Sequence, residues 1–117
     1  MSSGRNFCYL ALYEFLGTMI ALLCINCSQG HAAVIAIGIF VAATLTGRIC
    51  GGHFNAAVTL SIYVCERKWR KNLGVALIVI FVDLLGAIAA MVISMLLLGI
   101  DGVVKLSPPE GKFGGRT

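Results

Sequence analysis

The chain has 117 residues, of which 59% are hydrophobic and only 12% are charged. A soluble domain of this size needs a far more polar surface, so the composition excludes an ordinary soluble globular protein. The formal net charge is +4, and four of the 9 Lys and Arg residues lie within 67–71, with no basic face on a soluble fold visible in the sequence. We therefore expect no nucleic-acid partner, and the cluster is typical of a loop on the cytoplasmic or matrix side of a membrane.

Three apolar stretches are long enough to cross a bilayer, which takes roughly 20 helical residues. They cover residues 7–27, 31–49 and 73–98. We expect an all-α membrane protein with one membrane domain, residues 1–98, whose surface is covered by membrane lipids or protein partners. Residues 99–117 form a polar tail with glycine and proline, which is too poor in apolar residues to fold alone.

The segment between the second and third spans has a different composition. Residues 50–55 contain two glycines and an asparagine, which make a poor helix interior. Residues 56–65 are apolar and compatible with a helix, but they reach only half the length of a span. This order predicts a re-entrant half-helix. Because non-helical backbone is not tolerated against lipid, the loop must face protein or a water-filled cavity.

The same segment carries a resemblance to a known family. The stretch GGHFNAAVTL, residues 51–60, resembles the aquaporin (major intrinsic protein) signature around the first Asn-Pro-Ala motif. YEFLGT at 13–18 resembles the family's first helix, and LLGA at 84–87 resembles its third, in matching order and spacing. The resemblance covers about residues 7–98. It implies half of the aquaporin fold, with three transmembrane helices plus one re-entrant half-helix, where the complete channel has two inverted halves.

The resemblance also implies roles for individual residues. Asn55 matches the pore asparagine, whose amide donates to a permeating water or solute oxygen, and the dipole of its half-helix opposes cations. The family's row of pore-lining carbonyl acceptors matches Gly51, Gly52 and His53. Ile35 matches the selectivity position on the second helix. Asn55 is also a good N-cap for the helix that follows, and the two roles are compatible.

Glu14 is a carboxylate within a span, where such groups are costly and usually face the bundle interior. The resemblance implies that Glu14 accepts hydrogen bonds from the re-entrant loop and holds it, with His53 as a second loop-bracing group. A proton relay is the alternative role for Glu14, although no other acid is expected nearby in this half. A metal site at His53 would need a second protein ligand, and none lies at a suitable spacing in the sequence.

We expect no metal, no cofactor and no enzymatic activity, because no nucleophile–base pair or metal cluster is visible in the sequence. Cys24 and Cys27 form a C-x-x-C pair, a spacing that suits redox or metal chemistry on a soluble turn. Here the pair ends a long apolar helix, so we interpret both cysteines as small buried packing residues.

The chain departs from the family pattern at several positions. Ala56 replaces the motif proline, which fixes the start of the half-helix more firmly than alanine does. Asp83 stands where the family often has glutamine, and its charge needs a buried partner or an interfacial position. Arg48 stands where histidine is frequent. The selectivity arginine of the family belongs to the second half, which has no counterpart here.

Charge predicts the orientation. By the family's topology, one side of the membrane carries Arg5, Arg48, Arg67, Lys68, Arg70 and Lys71, and the other carries Lys105, Lys112 and Arg116. This bias favours a single orientation. An aquaporin pore needs two halves inverted in the membrane, so the bias disfavours a pore made of two copies of this chain.

Two functions remain open. The first is an accessory or structural subunit that packs in a larger membrane complex, with other membrane subunits or an inverted aquaporin-like half as its partner, and that conducts little alone. The second is half of an assembled passive channel for water or a small neutral solute. The mitochondrial inner membrane, in a respiratory assembly, is our hypothesis for the location of such a small, basic and apolar subunit.

Overall fold

The computed structural model describes residues 4–103, with side chains from residue 6 onward. This part of the chain forms four α-helices and no strand. They are α1 (Gly4–Cys27), α2 (Ala32–Cys50), α3 (Ala56–Glu66) and α4 (Trp69–Leu98). By length and composition, α1, α2 and α4 can each cross a membrane, whereas α3 is a shorter apolar helix. The predicted all-helical class with three possible spans is thus confirmed.

A tight turn folds α2 back along α1. Ser28 closes the end of α1 by donating its hydroxyl to the carbonyl of Ile25 (2.7 Å), and Gly30 follows with a left-handed φ of 82°. The two helices are therefore antiparallel. They approach closely where Cys24 faces Gly38, because a Cβ added to Gly38 would overlap the Cys24 side chain. Cys24 is half-buried at this seam, where it acts as a small packing residue.

The first and last helices run parallel to each other. Thr18 donates to Asp83 (2.9 Å) and Asn26 donates to Ser94 (3.0 Å), so the paired positions rise together along both helices. Gly86 lets the backbones approach, because a Cβ there would lie 2.8 Å from a backbone oxygen of α1. Small residues at a helix seam are the usual basis of close packing between apolar helices.

The hairpin of α3 and α4 is tighter than the sequence predicted. Only Arg67 and Lys68 separate the two helices, and Arg67 ends α3 in a left-handed conformation with φ of 53°. We expected a loop through residue 72, but α4 already begins at Trp69. The exposed basic residues Arg70 and Lys71 occupy its first turn, because arginine and lysine are good helix formers as well as polar.

The helices form a row in the order α2, α1, α4, α3. Within the described residues, α1 packs on both α2 and α4, α3 packs only on α4, and α2 contacts neither α3 nor α4. The 11 residues of α3 rise about 16 Å, whereas the 30 residues of α4 rise about 45 Å. Because α3 packs antiparallel against the start of α4, the N-terminus of α3 reaches only about a third of the way along α4.

The outer faces of the helices are apolar and uncovered. Phe40 on α2 is 70% exposed, and Leu96 on α4 is 81% exposed. Such side chains need lipid or protein around them. The basic residues of this part of the chain instead collect at one end of the helices, the basic end of the row, where α2 and α3 end and α4 begins: Arg48, Arg67, Lys68, Arg70 and Lys71. The tail bases Lys105, Lys112 and Arg116, like most of the predicted tail, lie outside the described residues.

Candidate functional site

The candidate site is the loop of residues 51–55 together with the helices that hold it. The loop begins where Gly51, at φ 98°, ends α2 and donates to the carbonyl of Gly47 (3.0 Å). Gly52 (φ 70°) and Phe54 (φ 49°) are also left-handed. Glycine adopts this conformation easily, but for a bulky aromatic residue such as Phe54 it is uncommon. The surrounding contacts must therefore hold the loop in place.

Glu14 on α1 supplies the main contact. It is fully buried, and its two carboxylate oxygens accept the backbone N–H groups of His53 and Phe54, each at 3.1 Å. Two partly buried donors that lie outside any helix are thereby satisfied by one charged acceptor, which gives stronger hydrogen bonds than neutral acceptors do. This is the contact that the resemblance implied for Glu14.

His53 and Asn55 connect the loop to α3. The Nδ1 atom of His53 lies 3.0 Å from the hydroxyl of Thr59, one turn into α3. Asn55 is the extended N-cap of α3, and its Oδ1 atom accepts the N–H of Ala57 (2.8 Å). The Asn55 side chain is exposed. Within residues 6–103, its amide nitrogen donates to no other group.

The other residues implied as pore-lining are placed in two different regions. No described group donates a hydrogen bond to the carbonyls of Gly51, Gly52 or His53, so these oxygens stay available to a solute or a partner. Ile35 instead lies in the first turn of α2, about 24 Å along that helix from Gly51. The structure therefore does not bring Ile35 to the loop.

Phe54 and Gly17 form a contact that the sequence analysis missed. The Phe54 ring lies directly over Gly17 on α1, where an added Cβ would overlap the ring and lie 2.8 Å from the hydroxyl oxygen of Thr46. Gly17 thus makes room for the loop at the seam between α1 and α2. The glycine in YEFLGT was visible in the sequence, but its partner depends on the left-handed turn at Phe54.

We expect Gly17→Ala to destabilise the fold by about 1–3 kcal/mol, the usual cost of overpacking a filled site. Gly47→Ala is the matched control, because a Cβ at Gly47 meets no atom within 4 Å and alanine favours a helix by up to about 1 kcal/mol. Unfolding in detergent, followed by circular dichroism, measures both variants. Equal stability of the two would contradict the contact between Gly17 and the Phe54 ring.

Asp83 adds a second buried carboxyl group behind the loop. It is 3% exposed; its Oδ1 atom accepts from Thr18, while its Oδ2 atom has no partner among the described residues. Glu14 and His53 are close enough to act on its charge. The expectation that no second acid lies near Glu14 is therefore wrong, because the parallel packing of α4 on α1 places Asp83 against Thr18, one turn from Glu14.

Comparisons of the chain with protein-family models, curated proteins and solved structures find no match. Within residues 4–103, no group of three or more His, Cys, Asp or Glu side chains comes together in a way that could hold a metal ion. The functional argument therefore rests on the 51–55 loop, its carboxylate support and the short helix that the loop starts.

Proposed function

We propose that the chain is an aquaporin-like membrane subunit, in which α1, α2 and α4 span the bilayer and α3 is a re-entrant half-helix. The observation that carries this proposal is the position of the N-terminus of α3. Asn55 begins α3 about a third of the way along α4, on a non-helical loop that a buried carboxylate of α1 holds. A membrane helix of half length needs such a supported start.

The hydrogen-bonding groups of the 51–55 loop are only partly satisfied within the chain, which fits this role. Toward α1, Glu14 satisfies the backbone donors of His53 and Phe54. By contrast, the carbonyls of Gly51, Gly52 and His53 and the side-chain amide nitrogen of Asn55 have no partner among the described residues. Backbone groups at membrane depth must be satisfied by protein or water, since lipid offers nothing. The hydrogen bonds of the site are therefore complete only when another protein segment or a row of water molecules faces the loop.

An accessory or structural subunit is the function that this incomplete site supports best. No described contact joins α2 to α3, so the loop between them, with the exposed Asn55, is open to another protein. A larger membrane complex or an inverted aquaporin-like half would cover it. The substitution of Ala56 for the motif proline, which fixes the start of the half-helix less firmly, favours packing over selective conduction.

Half of an assembled passive channel for water or a small neutral solute is the second candidate. Two observations favour it. The Asn55 amide nitrogen is exposed and free to donate. A cavity of about 570 Å³ lies between the first half of α1 and the end of α2, and it reaches Gly51 from the basic end of the row. In an assembled pore, this cavity would serve as the vestibule to the loop.

The depth of α3 tests the proposed fold directly. We expect a spin label at Ala57→Cys to lie about 12 Å deeper in the bilayer than a label at Cys65, because eight residues of membrane-normal helix separate them. Each label is placed on a variant without other cysteines, and its depth is read from relaxation by oxygen against a water-soluble nickel complex. Both native positions are exposed, so labelling does not require repacking.

The same variants show on which side of the membrane each labelled position lies. An impermeant thiol reagent should reach Cys65 and a cysteine at Gln29 from opposite sides, because α1 crosses the bilayer between the basic end and the turn of residues 28–31. Equal depths for positions 57 and 65 would show α3 lying on the membrane surface, and would refute the half-helix.

A further inference from the structure

A second cavity lies between α3 and α4. It has a volume of about 340 Å³ and begins at the basic end of the row, where Lys68 and Lys71 line its mouth. Further in, its walls are the apolar side chains of Ile62, Val75, Ala76 and Val79. The cavity is therefore cationic at the end of the helices and apolar along its length.

We propose that this cavity binds one anionic phospholipid, with the phosphate between Lys68 and Lys71 and part of an acyl chain along the apolar wall. Basic pockets between membrane helices are suited to acidic head groups, and each basic residue near the membrane surface adds a similar increment of attraction. The inference requires only that the α3–α4 hairpin lies in a membrane, and it does not depend on the aquaporin-like proposal.

The charges at the mouth support an anionic ligand. Lys68 and Lys71 form no ion pair with any described residue. Glu66 is the one acid on the cavity lining, and its carboxylate accepts a hydrogen bond from the side chain of Asn72. Two free ammonium groups against one engaged carboxylate leave the mouth positive, and a phosphodiester is the anion that a bilayer presents at this depth.

Two aromatic rings place the mouth at the level of the lipid head groups. Tyr63 and Trp69 pack edge to face with their ring centroids 5.3 Å apart, and the Tyr63 hydroxyl donates to the carbonyl of Trp69 (2.8 Å). Trp69 is about half exposed. Amphipathic rings of this kind concentrate at the membrane–water interface, so the lysines beside them are at the right depth to meet a phosphate.

The inner end of the cavity does not demand a polar ligand. His53 and Thr59 line it, but they face each other at 3.0 Å, so each has a polar partner already. Val79 beside them is almost completely buried. An acyl chain can therefore extend inward along Val75 and Ala76, whereas a free phosphate ion would use only the mouth. This continuity favours a whole lipid over a soluble anion.

Native mass spectrometry of the full chain in a neutral detergent tests the site. The wild type should bind one phosphatidylglycerol molecule, and much more weakly a phosphatidylcholine with the same acyl chains. Lys68→Gln with Lys71→Gln should weaken this first binding event roughly 30-fold, or about fivefold for each lysine. The matched control is Arg67→Gln with Arg70→Gln, which removes the same charge at the same end from residues outside the cavity lining.

The control pair should weaken binding by no more than about threefold, because Arg67 and Arg70 lie outside the cavity lining and attract the phosphate only from a distance, where salt screens the interaction. Equal losses from the two pairs would overturn the proposal, because they would show a diffuse basic surface without a site. Displacement of the lipid by glycerol phosphate at equal concentration would also overturn it, in favour of a soluble anion. Helical circular dichroism of both double variants ensures that the comparison is between folded proteins.

Discussion

Glu14→Gln is expected to destabilise the folded chain by about 1.5–3 kcal/mol, the range for hydrogen bonds to a charged group. Both oxygens of Glu14 accept a loop N–H in the native structure. A glutamine side chain has only one acceptor oxygen, so its NH₂ group would face the N–H of either His53 or Phe54. Because the site is fully buried, no water is at hand to replace the lost acceptor.

Glu14→Gln should loosen the 51–55 loop before it unfolds the whole chain. Hydrogen exchange of the His53 and Phe54 amides should accelerate in Glu14→Gln under conditions where the rest of α1 and α4 remains protected. Glu66→Gln is the matched control, because it makes the same chemical change at an exposed carboxylate and should alter stability by no more than about 0.5 kcal/mol. Unchanged exchange at residues 53 and 54 would rule out the bracing of the loop by Glu14.

Composition and local chemistry were sufficient to predict the helices. A bilayer sets the length of a span, so the three long apolar stretches were predictable. The two glycines and Asn55 interrupt the pattern where α2 ends and α3 begins. The start of α4 was harder to predict, since Arg70 and Lys71 suit a helix turn and a polar loop equally well. Their charge predicts a position near the membrane boundary, whereas the structure places them inside the first turn of α4.

The packing of the helices could not be predicted from the sequence in the same way. A helix that is apolar on every side gives no preferred buried face, and α4 is apolar around most of its circumference. The register that places Asp83 against Thr18, and so near Glu14, follows instead from close approach at Gly86. The contact of Gly17 with Phe54 similarly depends on a backbone turn that residue type alone does not dictate.

Liposomes that contain only this chain are expected to have the water permeability of empty liposomes. An aquaporin-type pore needs two half-helices that meet at mid-membrane from opposite sides, and in the proposed fold the residues of this chain supply one, α3. The described basic side chains lie at the basic end of the row, which favours insertion in one orientation over insertion in both. An unpaired 51–55 loop would also leave polar backbone facing lipid, at several kcal/mol for each group.

Stopped-flow shrinkage of proteoliposomes measures this permeability, with the amount and orientation of inserted chain determined by thiol labelling at Cys65. Asn55→Trp is the informative variant, because Asn55 is exposed and its bulky replacement would block a pore without disturbing the Glu14 contacts. We expect both proteins to match empty liposomes. If the wild type instead conducted well above that level and Asn55→Trp abolished the flux, the accessory-subunit proposal would fail. The chain would then be a half-channel that inserts in both orientations and pairs with itself, and labelling of Cys65 from both sides of the membrane would accompany the flux.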